Sequence, residues 1–173
     1  MKTLFGNLLG LFLLIGSVSA QEFKTVKIGN QIWMASNLSV KVPGSWAYEE
    51  NPAMEAKYGR LYTREAAIKF CPKGWHLPTQ KEWDNLLLEL GGEDKAGKSL
   101  KIVGGSSFNA KLGGIAGVGN YRLLDSYGAY WTATAVDKDN AWFVYLTSES
   151  SIATLTYSTK SQGFSVRYVK NSN

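Results

Sequence analysis

The chain of 173 residues carries 19 lysines and arginines against 14 aspartates and glutamates, a formal net charge of +5, with one histidine and one cysteine. A single cysteine excludes an internal disulfide, and one histidine with one cysteine argues against a zinc site, which needs three or four ligands. The basic residues are scattered, with no run of five or more, which argues against the basic patch of a nucleic-acid-binding protein.

The first twenty residues are typical of a secretory signal peptide. Lys2 supplies the positive end, residues 8–15 an apolar run, and Val-Ser-Ala at 18–20 a small-residue cleavage site. The alternative is an N-terminal anchor helix, but the apolar run is shorter than the roughly 20 residues that span a bilayer. No cysteine follows the cleavage site for lipid attachment. We predict removal of residues 1–20 and one mature domain over 21–173. It would be exported to a secreted, periplasmic or cell-surface location without inserting into the membrane.

The mature chain begins with a predicted hairpin and a loop. Two short apolar runs flank Gly29 and Asn30 within Thr25–Met34, an order that suits a type II′ turn. Residues 41–58 have no clean periodicity and contain two prolines and a glycine, so we predict an irregular loop there.

Two helices follow in the predicted order. Thr63 is placed to cap a short helix over Arg64–Cys71, which Pro72 ends. The second helix, over residues 80–90, has the sharper signal. Thr79 and Glu82 show the spacing of a capping box. Apolar residues then recur with helical period before a glycine pair; they are Trp83, Leu86, Leu87 and Leu90.

The remainder is predicted as a loop region followed by strands. Residues 91–128 are rich in glycine and serine, with one short strand expected near Phe108. Strands are expected over 130–134, 141–146, 152–157 and 164–169, and short turns favour an antiparallel meander. The sequence therefore predicts an α+β domain in which two central helices pack on antiparallel sheets with an irregular loop region.

Four blocks of sequence carry a family resemblance. They are KTVKIGNQIWMASNL (24–38), KYGRLYTREAAIKFCPKGWHLPTQKEW (57–83), YGAYWTAT (127–134) and GFSVRYVK (163–170). Together they resemble the Fibrobacter succinogenes major paralogous domain, a family of secreted bacterial domains with no settled biochemical activity. The resemblance implies a C-type-lectin-like fold whose chain ends meet in one sheet. The second block is also similar to formylglycine-generating-type domains.

The resemblance assigns the cysteine an unusual position. Family members often have cysteines where Ala47 and Glu55 stand here, and one in the last strand where Tyr168 stands, which would pair with Cys71. We therefore expect Cys71 to be free, buried and slow to react. A Cys71–His76 nucleophile pair is the catalytic alternative. The resemblance instead makes His76 part of a structural block, and a single cysteine argues against the two-cysteine formylglycine-generating reaction.

Two groups of loop residues are candidates for ligand binding. Asp137, Asp139 and Asn140 form an acidic cluster that could hold calcium, although Lys138 opposes a cation and the sugar-reading triplet of C-type lectins is absent. Four aromatic residues fall in predicted loops, where they could bind a sugar or a protein or could pack on the domain; they are Trp46, Tyr48, Tyr121 and Tyr127.

We therefore expect a non-catalytic binding domain for a glycan or a protein. The loops over 111–129 and 135–140 would contact this ligand. No cofactor is expected, with calcium as the one possibility. The alternatives are a structural or assembly component of the cell surface, or an enzyme related to formylglycine-generating-type domains. The candidate ligand-binding residues are Tyr121, Arg122, Asp125, Tyr127, Asp137, Asp139 and Asn140.

Overall fold

A computed structural model of the chain describes residues 22–101, 104–117 and 119–171. The predicted signal peptide lies outside the described residues. The strands in this part of the chain are β1 (Thr25–Ile28), β2 (Gln31–Met34), β3 (Ser45–Trp46), β4 (Leu61–Tyr62), β5 (Trp75–His76), β6 (Ile115–Gly117), β7 (Asn120–Arg122), β8 (Tyr127–Ala135), β9 (Asn140–Thr147), β10 (Ala153–Thr159) and β11 (Val169–Lys170). The helices are α1 (Pro52–Tyr58), α2 (Arg64–Lys69), α3 (Gln80–Glu89) and α4 (Glu93–Leu100), with a 3-10 turn over Tyr48–Glu50. Helices and antiparallel sheets together confirm the α+β class.

The N-terminal hairpin and the last strand share one sheet. Its strand order is β1-β2-β11-β5, and Val169 lies opposite Trp33 and His76. The predicted hairpin is confirmed: Gly29 takes φ +56° and Asn30 does not take a positive φ, in keeping with a type II′ turn. The two ends of the described chain therefore meet in one sheet.

The second sheet is an antiparallel meander of β8, β9 and β10, in the order β10-β9-β8. The fourth predicted strand, over 164–169, does not extend this meander. Ser165 bridges Tyr130 beside β8, and only Val169–Lys170 is a strand, in the first sheet. The chain thus crosses from one sheet to the other in its last segment.

Three local predictions are wrong. Residues 41–58 contain β3, the 3-10 turn and α1 rather than only loop, and Asn51 caps α1 by accepting a hydrogen bond from Ala53. No strand forms at Phe108, which is instead buried in the core. Helix α2 ends at Lys69, because the residue before Pro72 disfavours the helical conformation.

The described chain has four α-helices instead of two. Besides α1, the prediction missed α4, where Gly97 weakens the helical signal. A methyl group added at Gly97 would lie 2.2 Å from the carbonyl oxygen of Ile152, so glycine allows α4 to approach the chain just before β10.

The meander separates two apolar clusters. Tyr130, Val144 and Leu146 face one cluster, which includes Trp83 of α3 and Trp33 of β2. The other side, including Trp131 and Phe143, packs on α2 and the last segment of the chain. A third, smaller cluster surrounds Tyr48 and Leu61, and the half-buried Trp46 and Tyr121 pack against it. None of the described helices is both long and apolar enough to cross a membrane.

Candidate functional site

The acidic cluster is a self-contained turn between β8 and β9. One oxygen of the Asp137 carboxylate accepts bonds from the backbone amides of Asp139 (2.8 Å) and Asn140 (2.7 Å), and both oxygens accept from the Asn140 side chain. The side-chain and backbone bonds from Asn140 and the amide of Asp139 lower the pKa of Asp137. The Lys160 ammonium donates to the carbonyls of Asp137 and Lys138. A cation would therefore compete with bonds that already hold this turn and with a nearby positive charge.

Asp125 and Arg122 lie on a different surface. The Tyr58 hydroxyl donates to Asp125, and the Lys57 ammonium lies 3.8 Å from the same carboxylate oxygen. Both charged side chains of this pair are largely exposed, so the pair contributes little to stability. Arg122 is exposed at the end of β7.

Tyr127 is the first residue of β8 and not a loop residue. Its ring stacks on that of Tyr145, with centroids 5.0 Å apart and planes at 15°. Along a strand rising about 3.3 Å per residue, Tyr127 and the Asp137 turn stand roughly 25 Å apart. The seven predicted site residues therefore do not converge on one surface.

Tyr121 lines a surface depression of about 320 Å³ with Trp46 and Glu50. We call this depression the Trp46–Tyr121 cleft; its lining is completed by Gly117, Gly119, Asn120 and Ser161. Its volume is near the lower end of the range for small-molecule sites, about 300–1,000 Å³. A second depression of about 330 Å³ adjoins it and shares Trp46 and Glu50. Its lining includes the ion pair between the buried Arg60 and the half-buried Glu55.

Two short antiparallel strand pairs hold the aromatic rings of the cleft. Trp46 lies opposite Leu61 in the β3–β4 pair, and Tyr121 lies opposite Ala116 in the β6–β7 pair. The Tyr121 ring packs on Tyr48, with centroids 5.3 Å apart. Trp46 and Tyr121 are each half-buried, so one part of each ring joins the third apolar cluster while the rest lines the cleft.

Glu50 reaches the cleft through an unusual backbone conformation. Glu49 and Glu50 take φ of 51° and 54°, and such left-handed geometry costs about 1–2 kcal/mol for a residue with a side chain. Strain of this kind concentrates at functional sites. The backbone is held there by a bond from the amide of Glu50 to the Ala47 carbonyl, 2.9 Å long.

Four polar side-chain groups of the cleft have no hydrogen-bond partner among the described residues, whereas the Ser161 hydroxyl bonds that of Thr159. No hydrogen bond there involves the Trp46 indole N–H, the Glu50 carboxylate, the Asn120 side chain or the Tyr121 hydroxyl. Burial, followed by the nearby Glu50 carboxylate, raises the pKa of Tyr121, so its hydroxyl stays protonated and can donate. The cleft therefore combines two aromatic surfaces with unpaired donors and acceptors.

A larger depression among the described residues lacks this combination. This depression of about 500 Å³ is lined by Arg64 and Lys160, but Arg64 donates to the carbonyls of Thr132 and Ala133, and Lys160 to those of the acidic turn. Its size exceeds that of the cleft, but its two best donors are already paired inside the domain.

The histidine and the cysteine do not form a pair. The two ring nitrogens of His76 bond Asn171 Oδ1 at 2.7 Å and Glu82 Oε1 at 2.6 Å, joining the capping box of α3 to the end of the chain. Cys71 is half-buried rather than buried, and burial raises the pKa of its thiol to about 11. Its thiol donates a weak hydrogen bond to the Pro72 carbonyl at 3.8 Å. The described residues hold no group of three or more histidine, cysteine, aspartate or glutamate side chains that could bind a metal ion.

Comparison with known proteins places the chain in a family. The family model described as the Fibrobacter succinogenes major domain matches residues 26–170, from β1 to the end of β11. The chain belongs to this family. No curated protein and no solved structure matches it significantly. The buried apolar residues of the domain come from the whole matched range, from Ile28 to Val169. Tyr168, which stands where the resemblance places the partner cysteine, packs in the same apolar cluster as Cys71.

Reasoning from sequence missed part of the cleft. Trp46 and Tyr121 were among the aromatic candidates, but Glu50 and Asn120 were not predicted. The signal available for Asn120 was its place beside Tyr121 in a glycine-rich turn. The sequence offered no signal for Glu50, because its position in the cleft depends on a backbone conformation that glutamate rarely adopts.

Proposed function

We propose that the domain is an exported, non-catalytic binding module and that the Trp46–Tyr121 cleft binds a glycan. The observation that best supports this proposal is the set of unpaired polar groups beside two half-exposed aromatic rings. Sugar rings present C–H groups that stack on aromatic faces and hydroxyls that bond carboxylates, amides and phenols. Glu50 and Asn120 would accept and donate bonds to hydroxyls, with Trp46 and Tyr121 as the stacking surfaces.

A non-catalytic role is supported by how the reactive side chains are used. His76 and Glu82 hold a helix cap, and the Cys71 thiol stays protonated at neutral pH because its pKa is raised. Calcium is not required by this proposal, since the cleft uses no residue of the Asp137 turn. Binding should therefore be unchanged by a chelator.

Export is tested separately by N-terminal sequencing of the secreted protein. A mature start at Gln21 is expected, and a chain beginning at Met1 would contradict export with cleavage after Ala20.

The binding proposal is tested on a glycan array with the mature protein and exposed-site variants. Glu50→Gln and Asn120→Ala should each reduce binding at least tenfold while the melting temperature stays nearly constant, because both residues are exposed. Glu49→Gln is the matched control: it is the exposed neighbour of Glu50, shares its left-handed backbone and does not line the cleft. A glycan bound equally by wild type and both site variants would place the site elsewhere. Failure of every glycan to bind would reject the ligand class.

A further inference from the structure

The outer edge of β10 carries unpaired backbone groups. All seven residues of this strand pair with β9 on one side, Ala153 with Leu146 through Thr159 with Asn140. The opposite edge of the meander, at β8, is partly covered, because Ser165 bridges Tyr130 and Gly114 bridges Gly128. No described segment pairs with the outer side of β10.

The direction in which each backbone amide of β10 points follows from the hydrogen bonds between β10 and β9. The amide of Lys160 donates to the Asp139 carbonyl at 2.9 Å, which continues the β10–β9 register by one position. Hydrogen-bonded positions alternate in an antiparallel pair. Thr154, Thr156 and Ser158 therefore bond β9, whereas the amides and carbonyls of Leu155 and Tyr157 point away from it. The outward carbonyl of Thr159 accepts from the amide of Gln162 at 3.1 Å, so the free edge is centred on Leu155 and Tyr157.

This edge lacks the usual protection against pairing. Natural edges carry lysine, proline, bulges or a covering helix, but the strand reads ATLTYST, without charge or proline, and its register with β9 has no shift. Helix α4 bonds the chain just before β10, where the amide of Lys98 donates to the Ser151 carbonyl, and no backbone hydrogen bond of a described α4 residue reaches the strand itself. The Tyr157 side chain is 57% exposed.

We propose that β10 pairs antiparallel with β10 of a second copy of this chain, joining two meanders into one six-stranded sheet. The strand is complementary to itself. A two-fold axis at Thr156 sets Leu155 against Tyr157 of the second copy on one face and Thr154 against Ser158 on the other. In these central pairs apolar side chains meet apolar ones and hydroxyls meet hydroxyls, and only the outermost pair, Ala153 with Thr159, is mixed.

Charge does not oppose this pairing. The strand is neutral, and the nearest cation, Lys160, is held by the carbonyls of Asp137 and Lys138 in the neighbouring turn. Interfaces this small are weak, so we expect a dissociation constant on the order of micromolar to tens of micromolar. The pairing is independent of the glycan cleft.

Sedimentation velocity of the mature protein across this concentration range tests the proposal. A monomer–dimer equilibrium is expected, and Tyr157→Lys should weaken it at least tenfold by adding a charge to the edge. Leu88→Lys is the matched control, since Leu88 is 74% exposed on α3 and should leave the dimer unchanged. A monomer at every concentration, or a dimer that persists in Tyr157→Lys, would overturn the proposal.

Crosslinking gives a second test that does not depend on that variant folding. In a Cys71→Ser background, Thr156→Cys places a thiol opposite its own copy in a non-hydrogen-bonded pair. The Cα atoms are then about 4.5 Å apart, within disulfide range. A mild oxidant should give a covalent dimer, whereas Ser158→Cys, which faces Thr154, should stay largely monomeric. Equal crosslinking of both variants, or of neither, would contradict the two-fold pairing at Thr156.

Discussion

Arg167 Nε donates a hydrogen bond of 2.8 Å to Asn37 Oδ1, joining the last segment of the chain to the loop after β2. Asn37 is oriented by its own bonds to the Tyr58 carbonyl and Ser165 Oγ. Arg167 is 1% exposed and also donates to the carbonyls of Met34, Phe108 and Asn109, with its guanidinium 4.6 Å from the Phe108 ring centroid. Burial lowers its pKa to about 10, so it remains charged at neutral pH.

Arg167→Met should therefore destabilise the domain by about 3–5 kcal/mol. Methionine fills part of the space but leaves three carbonyls and the Asn37 oxygen buried without a donor. Urea unfolding measures the change in the free energy of unfolding. Arg122→Met, at an exposed arginine, should change it by less than about 0.5 kcal/mol. Similar small effects for both variants would mean that the Arg167 network adds little stability.

Trp83 lies in α3 and Thr79 caps this helix, and the two residues should contribute differently to the free energy of unfolding. Trp83 is fully buried, 4.8 Å between centroids from Trp33, so Trp83→Ala should cost about 3–5 kcal/mol. Thr79→Ala removes one side of the confirmed capping box and should cost about 1 kcal/mol. Trp83→Phe should be milder than alanine, since the ring contacts remain and the indole N–H has no partner among the described residues. Denaturant midpoints give the order, and a Trp83→Ala protein more stable than Thr79→Ala would contradict it.

Glu82 should make stability depend on pH in the acid range. Burial alone would raise the pKa of Glu82, but bonds from the Thr79 amide, from His76 and from the Thr79 hydroxyl outweigh it and lower the pKa. A folded pKa below the unfolded value, about 4.3, stabilises the folded state above that value. The contribution is lost as pH falls through the lower, folded pKa. Melting temperatures between pH 7 and pH 2 should therefore fall less steeply for Glu82→Gln than for wild type, while Glu65→Gln, at an exposed position, should follow wild type.

Cys71 should react slowly with a disulfide-forming thiol reagent at pH 7.5. With the pKa of the thiol near 11, the nucleophilic thiolate is scarce, and half-burial limits access. Labelling should become fast once denaturant is added, and in native protein its rate should rise with pH. Rapid stoichiometric labelling of native protein at neutral pH would revive the nucleophile hypothesis.

Tyr127→Ala should affect stability rather than ligand binding. The ring stacks on Tyr145 and is half-buried, and burial, then the nearby Tyr145, raises the pKa of Tyr127. Loss of this pair should lower the free energy of unfolding by about 1–3 kcal/mol. Binding to any glycan that depends on Glu50 should stay within twofold of wild type. A selective loss of binding, with unchanged melting, would return Tyr127 to the site.

The capped helix, the hairpin and the meander were determined locally. The Thr79–Glu82 box, the turn at Gly29 and the alternation of apolar and hydroxyl residues in β10 depend on residues within a few positions of each other, so the sequence alone indicates them. The family blocks likewise run along the chain and could be identified from it. Helix α4 escaped prediction because Gly97, which the close contact with Ile152 requires, weakens its local helical signal.

Only the tertiary structure decided which side chains meet. Asp137 and Tyr127 belong to one predicted binding surface in the sequence but lie at opposite ends of β8, because an extended strand separates residues by its full length. Trp46 and Tyr121 are far apart in sequence and line one cleft, because two short antiparallel strand pairs pack on the cluster around Tyr48. The same holds for Arg167, whose guanidinium is satisfied by carbonyls from two separate segments, at Met34 and at Phe108 with Asn109. Such contacts arise from long-range packing, which no local pattern of residues encodes.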